Sequence, residues 1–426
     1  MEPAAPLRAL LDVLAGSADD SPRRLFAQGW ASFVDEASHH GVAALASLGL
    51  AGCDAVPPAA VRALEGHYLK NRLRNLRLYA HVGALLERLS AESVDVIVLK
   101  GAYLAQAVYP DPALRAMSDA DLLVRRRDLE RATATMQAMG WRQSPMSRAS
   151  GHQLPTFELD GVQVELHWNI EDDGAPFTVD VAALWSLAVP MRIGRARALS
   201  LSPEDLLLHL CLHSAYGHGW KQFDGGLRHL VDIAAVVRHH ATNLDWPAVV
   251  QRAQAWRAQR CVGLCLMTAR DLLQVAVPQG VLDRLSVPPI QWIVVARELT
   301  LGRHYARLQS QLPVLARFWL DKGWRRLPRG ARWRAYLRPT SESLRSVYPT
   351  LAPTAALSLL AHWKDLAGDL LRITFDRRCR ALLRTERGRR SLLSWLEGES
   401  AGAAGLDRAN DEAADHCAVA QLGGHR

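Results

Sequence analysis

The chain has 426 residues, enough for two or three structural units with a sizeable core. Its hydrophobic share of 49% and charged share of 22% are those of an ordinary globular protein, and no run reaches the ~18 apolar residues of a membrane span. The balance of 51 basic over 43 acidic residues, +8 and largely arginine, favours phosphate-bearing or otherwise anionic partners.

The N-terminus, MEPAAPLRALLDVLAG, has an acid at position 2 and no basic lead into a long apolar stretch, so it does not read as a secretory signal and a cytoplasmic location is expected. The six cysteines show no Cys-x-x-Cys pair or metal-finger spacing and read as core thiols. Residues 6 to 90 are Ala- and Leu-rich periodic segments broken at Gly16-Ser17, Gly41 and Pro57-Pro58. The last helix, from Ala59 to about Ser90, carries Leu69, Leu73, Leu76, Tyr79, Val82 and Leu86 at three- and four-residue steps. It is long enough to brace a small sheet.

From Val94 to about Leu201 the pattern changes to short apolar runs with turns. VDVIVLK reads as a strand, Ala102 to Tyr109 as a helix, Asp119 to Val124 as a strand, and Arg127 to Met139 as a helix closed by Gly140. FELDG and VQVELHWNI follow as a hairpin turning at Asp160-Gly161. This predicts a small unit of about four strands in a mixed sheet with helices. Asp119 and Asp121 project from one strand face, because side chains alternate. Two carboxylates so placed form a clamp for Mg²⁺, a hard cation that prefers oxygen ligands. In VQVELHWNI, Val162, Val164, Leu166 and Trp168 share one face while Glu165 and His167 share the other. Glu165 joins the two aspartates if the strands are neighbours in an antiparallel arrangement.

These elements resemble the bacterial uncharacterised nucleotidyltransferase family of the polymerase-beta-like superfamily. The resemblance rests on Leu99-Lys100-Gly101, Arg115, Asp119-Ala120-Asp121-Leu122-Leu123-Val124 and Glu165-Leu166-His167-Trp168. Leu207 to Val236 is similar to a histidine-containing helical segment after the family's palm, and Tyr336-Leu337-Arg338-Pro339 to a later motif. It implies an α+β fold with a nucleotidyltransferase palm, which the pattern places at residues 91–201 between an N-terminal helical segment, 1–90, and a helical region, 202–400; residues 401–426, rich in Ala, Gly and Asp, read as a disordered tail. It also implies catalytic, metal-holding roles for Asp119, Asp121 and Glu165, with Mg²⁺ or Mn²⁺ as cofactor and an NTP as substrate. Lys100, Gly101, Ala102, Arg115 and Ser118 are the expected nucleotide-binding residues. Where the superfamily usually has serine or a second glycine after the turn glycine, this chain has Ala102, which keeps the backbone donors of a helix N-terminus and lacks the hydroxyl.

The region after Ser202-Pro203-Glu204-Asp205 is helical in character. His167, His213, Lys221 and Asp232 are candidates for contacts with the acceptor or for support of the site. His209 and His213, four residues apart, share a helix face, but HLCLH lacks the glutamate of a zincin and offers no third ligand. Lys322 to Arg338 holds seven basic residues, no acid, and Trp324, Trp333 and Tyr336. That composition suits an RNA- or phosphate-binding surface, an amphipathic helix on an anionic membrane, or a solvated face anchored by its tryptophans. The expected activity is transfer of an NMP group from NTP to a small-molecule, RNA or protein acceptor with release of pyrophosphate. The alternative is a nucleotide-binding or interaction protein of weak or absent activity that works through its basic helical region.

Overall fold

The computed structural model describes residues 3–16, 25, 27–145, 147, 149–217, 219–222, 226–286, 288–302, 337 and 355–398. The basic segment from Lys322 to Arg338 (Leu337 apart), His218 and the tail from residue 401 lie outside the described residues. Among the described residues no helix is long and apolar enough to cross a membrane, and Cys53, Cys211, Cys261, Cys265 and Cys379 are free thiols.

Three helices, α1 (Ala5–Ala15), α2 (Ala27–His39) and α3 (Ala43–Gly49), lead into α4 (Pro58–Ala91), which has 34 residues and is about 50 Å long at 1.5 Å per residue. Pro58 opens α4 at a position where the missing N–H costs no helical hydrogen bond. The C-terminal half buries Leu78, Val82, Leu85, Leu86 and Leu89 against the sheet. The middle of the helix departs from the expected apolar stripe: Leu69, Leu73 and Leu76 face solvent, and the buried residues between 69 and 76 are Asn71 and Asn75. Their neighbour is an irregular loop whose carbonyls need donors. Asn75 Nδ2 donates to the carbonyls of Pro112 at 2.7 Å and Arg115 at 3.0 Å, and Asn71 Nδ2 to that of Ala113 at 3.1 Å. In this way α4 fixes the loop that leads into the Asp-x-Asp strand.

The sheet has seven strands rather than about four. They are β1 (Ile97–Val98), β2 (Asp119–Leu123), β3 (Arg142–Gln143), β4 (Phe157–Leu159), β5 (Val162–His167), β6 (Val189–Ile193) and β7 (Ala196–Ser200), in the order β3-β4-β5-β2-β1-β7-β6. The hairpin of β6 and β7 escapes a periodicity reading because β6 is an edge strand, exposed at alternate and adjacent positions alike. Yet β7 is internal, pairing with β1 in parallel with Ile97 opposite Leu199. The β4-β5 hairpin forms as expected, with Asp160 and Gly161 both at positive φ, +51° and +72°, as a two-residue turn of the primed kind requires.

Alternation along β2 divides the molecule. Ala120, Leu122 and Val124 share a core with Val162, Val164 and Leu166 of β5, with α4, and with Ala132 and Met136 of α6 (Leu129–Ala138). Leu123, Ile97 and Leu99 instead join a second core built by helices. That core unites α1 to α3 with α8 (Pro203–Leu212), α10 (Gly226–His239), α12 (Gln259–Leu273) and α14 (Ile290–Leu301), after α7 (Val181–Ser186) and alongside α11 (Trp246–Ala255) and α13 (Gln279–Arg284). Between α8 and α9 (Gly219–Gln222) the chain makes a π-helical turn over His213–Gly217. Two long helices, α15 (Ala355–Phe375) and α16 (Arg377–Leu396), complete the described chain, and Arg389 of α16 donates to the Lys221 carbonyl at 2.8 Å. The odd-numbered residues of β2 therefore face the helical region, and the site forms on that side.

Candidate active site

Strands β2 and β5 are neighbours, and Asp121 stands opposite Glu165 in their register, with Asp119 opposite Gln163 and Leu123 opposite His167. The pairing is parallel, not the antiparallel arrangement expected from sequence. The chain crosses over through α6 and β3 to the far side, then returns on β4 and turns into β5, which restores the direction of β2. The carboxylates of Asp121 and Glu165 consequently lie side by side on the face that looks away from the α4 core.

A network of short contacts surrounds Asp121. Lys100 Nζ donates to Asp121 Oδ1 at 2.9 Å, and His167 Nε2 donates to the same oxygen at 3.0 Å. His167 Nε2 also lies 3.6 Å from Glu165 Oε2, while the Thr156 hydroxyl donates to Glu165 Oε1 at 3.1 Å. Burial works against the Asp121 charge, but Lys100 and His167 outweigh it and hold this carboxyl well below the usual carboxylate range. Burial likewise opposes ionisation of Lys100, and Asp121 more than compensates, so its ammonium is held more firmly than usual. The same balance raises His167 and lowers Glu165.

Asp119 is different. Its Oδ1 accepts from the Ser118 hydroxyl at 3.1 Å. Burial, reinforced by the negative charges of Asp121 and Glu165, pushes this carboxyl up to about 6. Three ligand atoms, one each from Asp121, Glu165 and His167, lie within 4.8 Å of one another, and Asp119 stands outside that group, one pleat further along β2.

The Leu-Lys-Gly turn leads into α5 (Lys100–Ala107) with Lys100 itself at φ +41°, a left-handed conformation that a lysine adopts only under constraint. Gly101 is needed for space: a Cβ there would stand 2.6 Å from Arg115 Nη1. Ala102 is buried in the α4 core and its carbonyl accepts the Tyr79 hydroxyl at 2.8 Å. What it has free to offer a phosphate is its backbone N–H.

Arg115, expected at the nucleotide, and Asp232, expected at the acceptor or in support of the site, are paired with each other. Arg115 Nη2 donates to Asp232 Oδ2 at 2.7 Å and Nε to Oδ1 at 3.3 Å, while the Tyr109 hydroxyl donates to Oδ1 at 2.8 Å. The pair ties the loop before β2 to α10. His213 and Lys221 approach from the helical region and line a cavity of about 50 Å³ together with Lys100, Glu171 and Asp172. His213 stacks on His229 with ring centroids 5.0 Å apart. His209, one turn earlier, is buried with both ring nitrogens unpartnered among the described residues, and burial pushes its pKa well below the ordinary histidine value. The pair of His209 and His213 gathers no third ligand among the described residues.

Several neighbours of the site escape sequence reasoning. Asn71 and Asn75 hold the loop before β2, and Thr156 holds Glu165. His152 Nδ1 lies 2.8 Å from Asp172 Oδ1, and its ring lies against that of His167 with centroids 5.3 Å apart. No local pattern marks them, although the acids Glu171-Asp172 directly after the ELHW strand were a readable signal.

A family model described as uncharacterised nucleotidyltransferase matches residues 27–274, more than half of the chain. That span includes the whole sheet and every site residue described above. No curated protein matches the chain.

Proposed function

The chain belongs to the uncharacterised nucleotidyltransferase family, and from that premise we propose that it transfers a nucleoside monophosphate from an NTP to an acceptor in a reaction that depends on Mg²⁺ or Mn²⁺. The observation that carries the proposal is the placing of Asp119, Asp121 and Glu165 on one face of two adjacent strands beside the Lys100-Gly101 turn. The donor set fits a hard divalent cation, since carboxylate oxygens are its preferred ligands. Burial beside the negative charges of Asp121 and Glu165 lifts Asp119 to about 6, which marks a site short of positive charge. An ion held by Asp119, Asp121 and Glu165 would neutralise charge at the reacting phosphate and favour the deprotonated acceptor.

The residues divide the remaining work. Lys100 now occupies Asp121 and is released towards phosphate oxygens when that carboxylate is otherwise engaged. The backbone donors that open α5 face the same phosphates. His167, fixed between Asp121 and Glu165, holds the orientation of both carboxylates. In the transfer itself the acceptor oxygen bonds to the α-phosphorus and the bond from that phosphorus to the β-phosphate bridging oxygen breaks. Pyrophosphate leaves with that electron pair, and the acceptor proton passes through Glu165 to solvent. Catalysis of this kind rests on positioning and charge neutralisation.

The test is a screen of the pure protein with each α-labelled NTP against small-molecule, RNA and protein fractions in Mg²⁺. Label should appear in one fraction together with released pyrophosphate. Binding of NTP without pyrophosphate release from any fraction would instead make the palm a nucleotide-binding platform.

A further inference from the structure

Glu171 lies near the site, and the transfer mechanism above does not use it. It lies four residues beyond His167, is 6% exposed, and takes no hydrogen bond or ion pair among the described residues. Native chains rarely leave a buried carboxylate without a partner, because desolvation is not repaid. Glu171 lines a cavity with Lys100, Asp172, His213, Tyr216 and Lys221. Burial pushes its carboxyl up to about 7, with Lys100 and Lys221 drawing it down and Asp172 adding to the rise.

The cavity shares a residue with the candidate catalytic site: Lys100, which lines it, is the same side chain that reaches Asp121 at 2.9 Å. Its opposite wall is the π-helical turn and α9, where Lys221 sits over the Tyr216 ring at 3.9 Å. The Lys221 backbone is anchored from outside by Arg389, so that wall is held in place. A volume of about 50 Å³ admits a polar group of a few atoms and no nucleobase. Of the acidic and lysine side chains that line it, Lys100 is engaged by Asp121 at 2.9 Å and Asp172 by His152 at 2.8 Å, which leaves the Glu171 carboxyl and the Lys221 ammonium, one of each sign, so an added ion of either sign meets a like charge while a neutral hydrogen-bond donor does not.

On the reading proposed above, we infer that this cavity is the acceptor subsite and that it seats the end of a small neutral polyol, with Glu171 accepting a hydrogen bond from a hydroxyl beside the attacking one. Glu171 is then a specificity-determining residue that touches the acceptor. The transferred group and the bonds made and broken are those already described.

The test uses the full chain, α-labelled NTP, Mg²⁺ and a panel of neutral hexoses and alditols, with amines and short RNAs as the other arms. The parent should label a hexose or alditol. Glu171→Gln should raise the KM for that acceptor at least tenfold while leaving affinity for the NTP within twofold. Because the glutamine removes an unpaired buried charge at nearly constant volume, its Tm should equal or exceed that of the parent, which shows that it folds. Glu171→Asp should recover part of the loss. Labelling confined to amines or RNA, no labelling of the panel, or an unchanged KM in Glu171→Gln would overturn the inference. The first and last of these leave the nucleotidyltransferase reading intact, whereas failure of the parent to bind Mg²⁺ and NTP at all would remove both.

Discussion

Arg115 and Asp232, 117 residues apart in sequence, close on each other through two hydrogen bonds in a nearly solvent-free pocket, with side-chain exposures of 13% and 3%. The contact joins the palm to α10 and is completed by the Tyr109 hydroxyl. Removing one partner of a buried pair leaves the other charge uncompensated, which costs about 3 to 5 kcal/mol. Asp232→Ala should therefore lower the free energy of unfolding in urea by that order. A change below about 1 kcal/mol, the range of an exposed pair, would show that Arg115 is held by something else.

Gly101 tests the same junction from the other side. A Cβ at this position would press on Arg115 Nη1 at 2.6 Å, and that nitrogen is not free to retreat because it donates to the Ala116 carbonyl at 2.8 Å. Gly101→Ala should cost about 1 to 3 kcal/mol, the usual range for an overpacked site. In an Asp232→Ala background, where Arg115 has lost its anchor, the same substitution should cost clearly less. Equal costs in the two backgrounds would mean that the glycine serves the phosphate turn alone.

The raised carboxyl of Asp119 makes a prediction with a definite sign. Its ordinary value is about 3.9, and in the folded protein it stands at about 6. A folded value above the unfolded one gives stability that is complete below about 4 and is lost as pH rises through about 6. Between pH 4.5 and 7, without metal, the parent Tm should fall relative to that of Asp119→Asn. At pH 7, Mg²⁺ should raise the parent Tm more than that of the variant. Parallel Tm curves across this range would contradict the crowding of carboxylates described here.

What could be read from the sequence follows the range of the interactions. The face shared by Asp119 and Asp121, and that shared by Glu165 and His167, are local consequences of alternation, and they are found as expected. The parallel pairing of β5 with β2 is not local, since it depends on how the chain passes through α6, β3 and β4. The β6 strand was hidden because an exposed edge strand has no buried face to enforce a pattern. Asn71 and Asn75 read as polar interruptions of an apolar helix until the loop carbonyls that they bind are known. Arg115 reads from its motif as a nucleotide-binding residue, whereas its partner is Asp232 of α10. Such pairings are set by tertiary packing and leave no periodic trace.

Thr156 supplies a fourth prediction because its hydroxyl is the hydrogen-bond donor to Glu165 Oε1. Thr156→Val keeps shape and removes that bond, which is worth about 1.5 to 3 kcal/mol when the acceptor is charged. Turnover should fall by roughly ten- to a hundredfold, consistent with loss of a partner that orients a ligand, while NTP affinity stays near that of the parent. An equal loss in NTP affinity would place Glu165 in nucleotide binding and not in acceptor activation.

The most direct test of the central claim is pyrophosphate release from NTP in Mg²⁺, measured for the parent, Asp121→Asn and Glu165→Gln with whichever acceptor fraction supports turnover. Each variant keeps side-chain volume and removes one charge from the pair that faces across β2 and β5. The account predicts a loss of several hundredfold or more in both, as expected when metal-based stabilisation of several kcal/mol is removed, with circular dichroism unchanged. Turnover near that of the parent in either folded variant would contradict it.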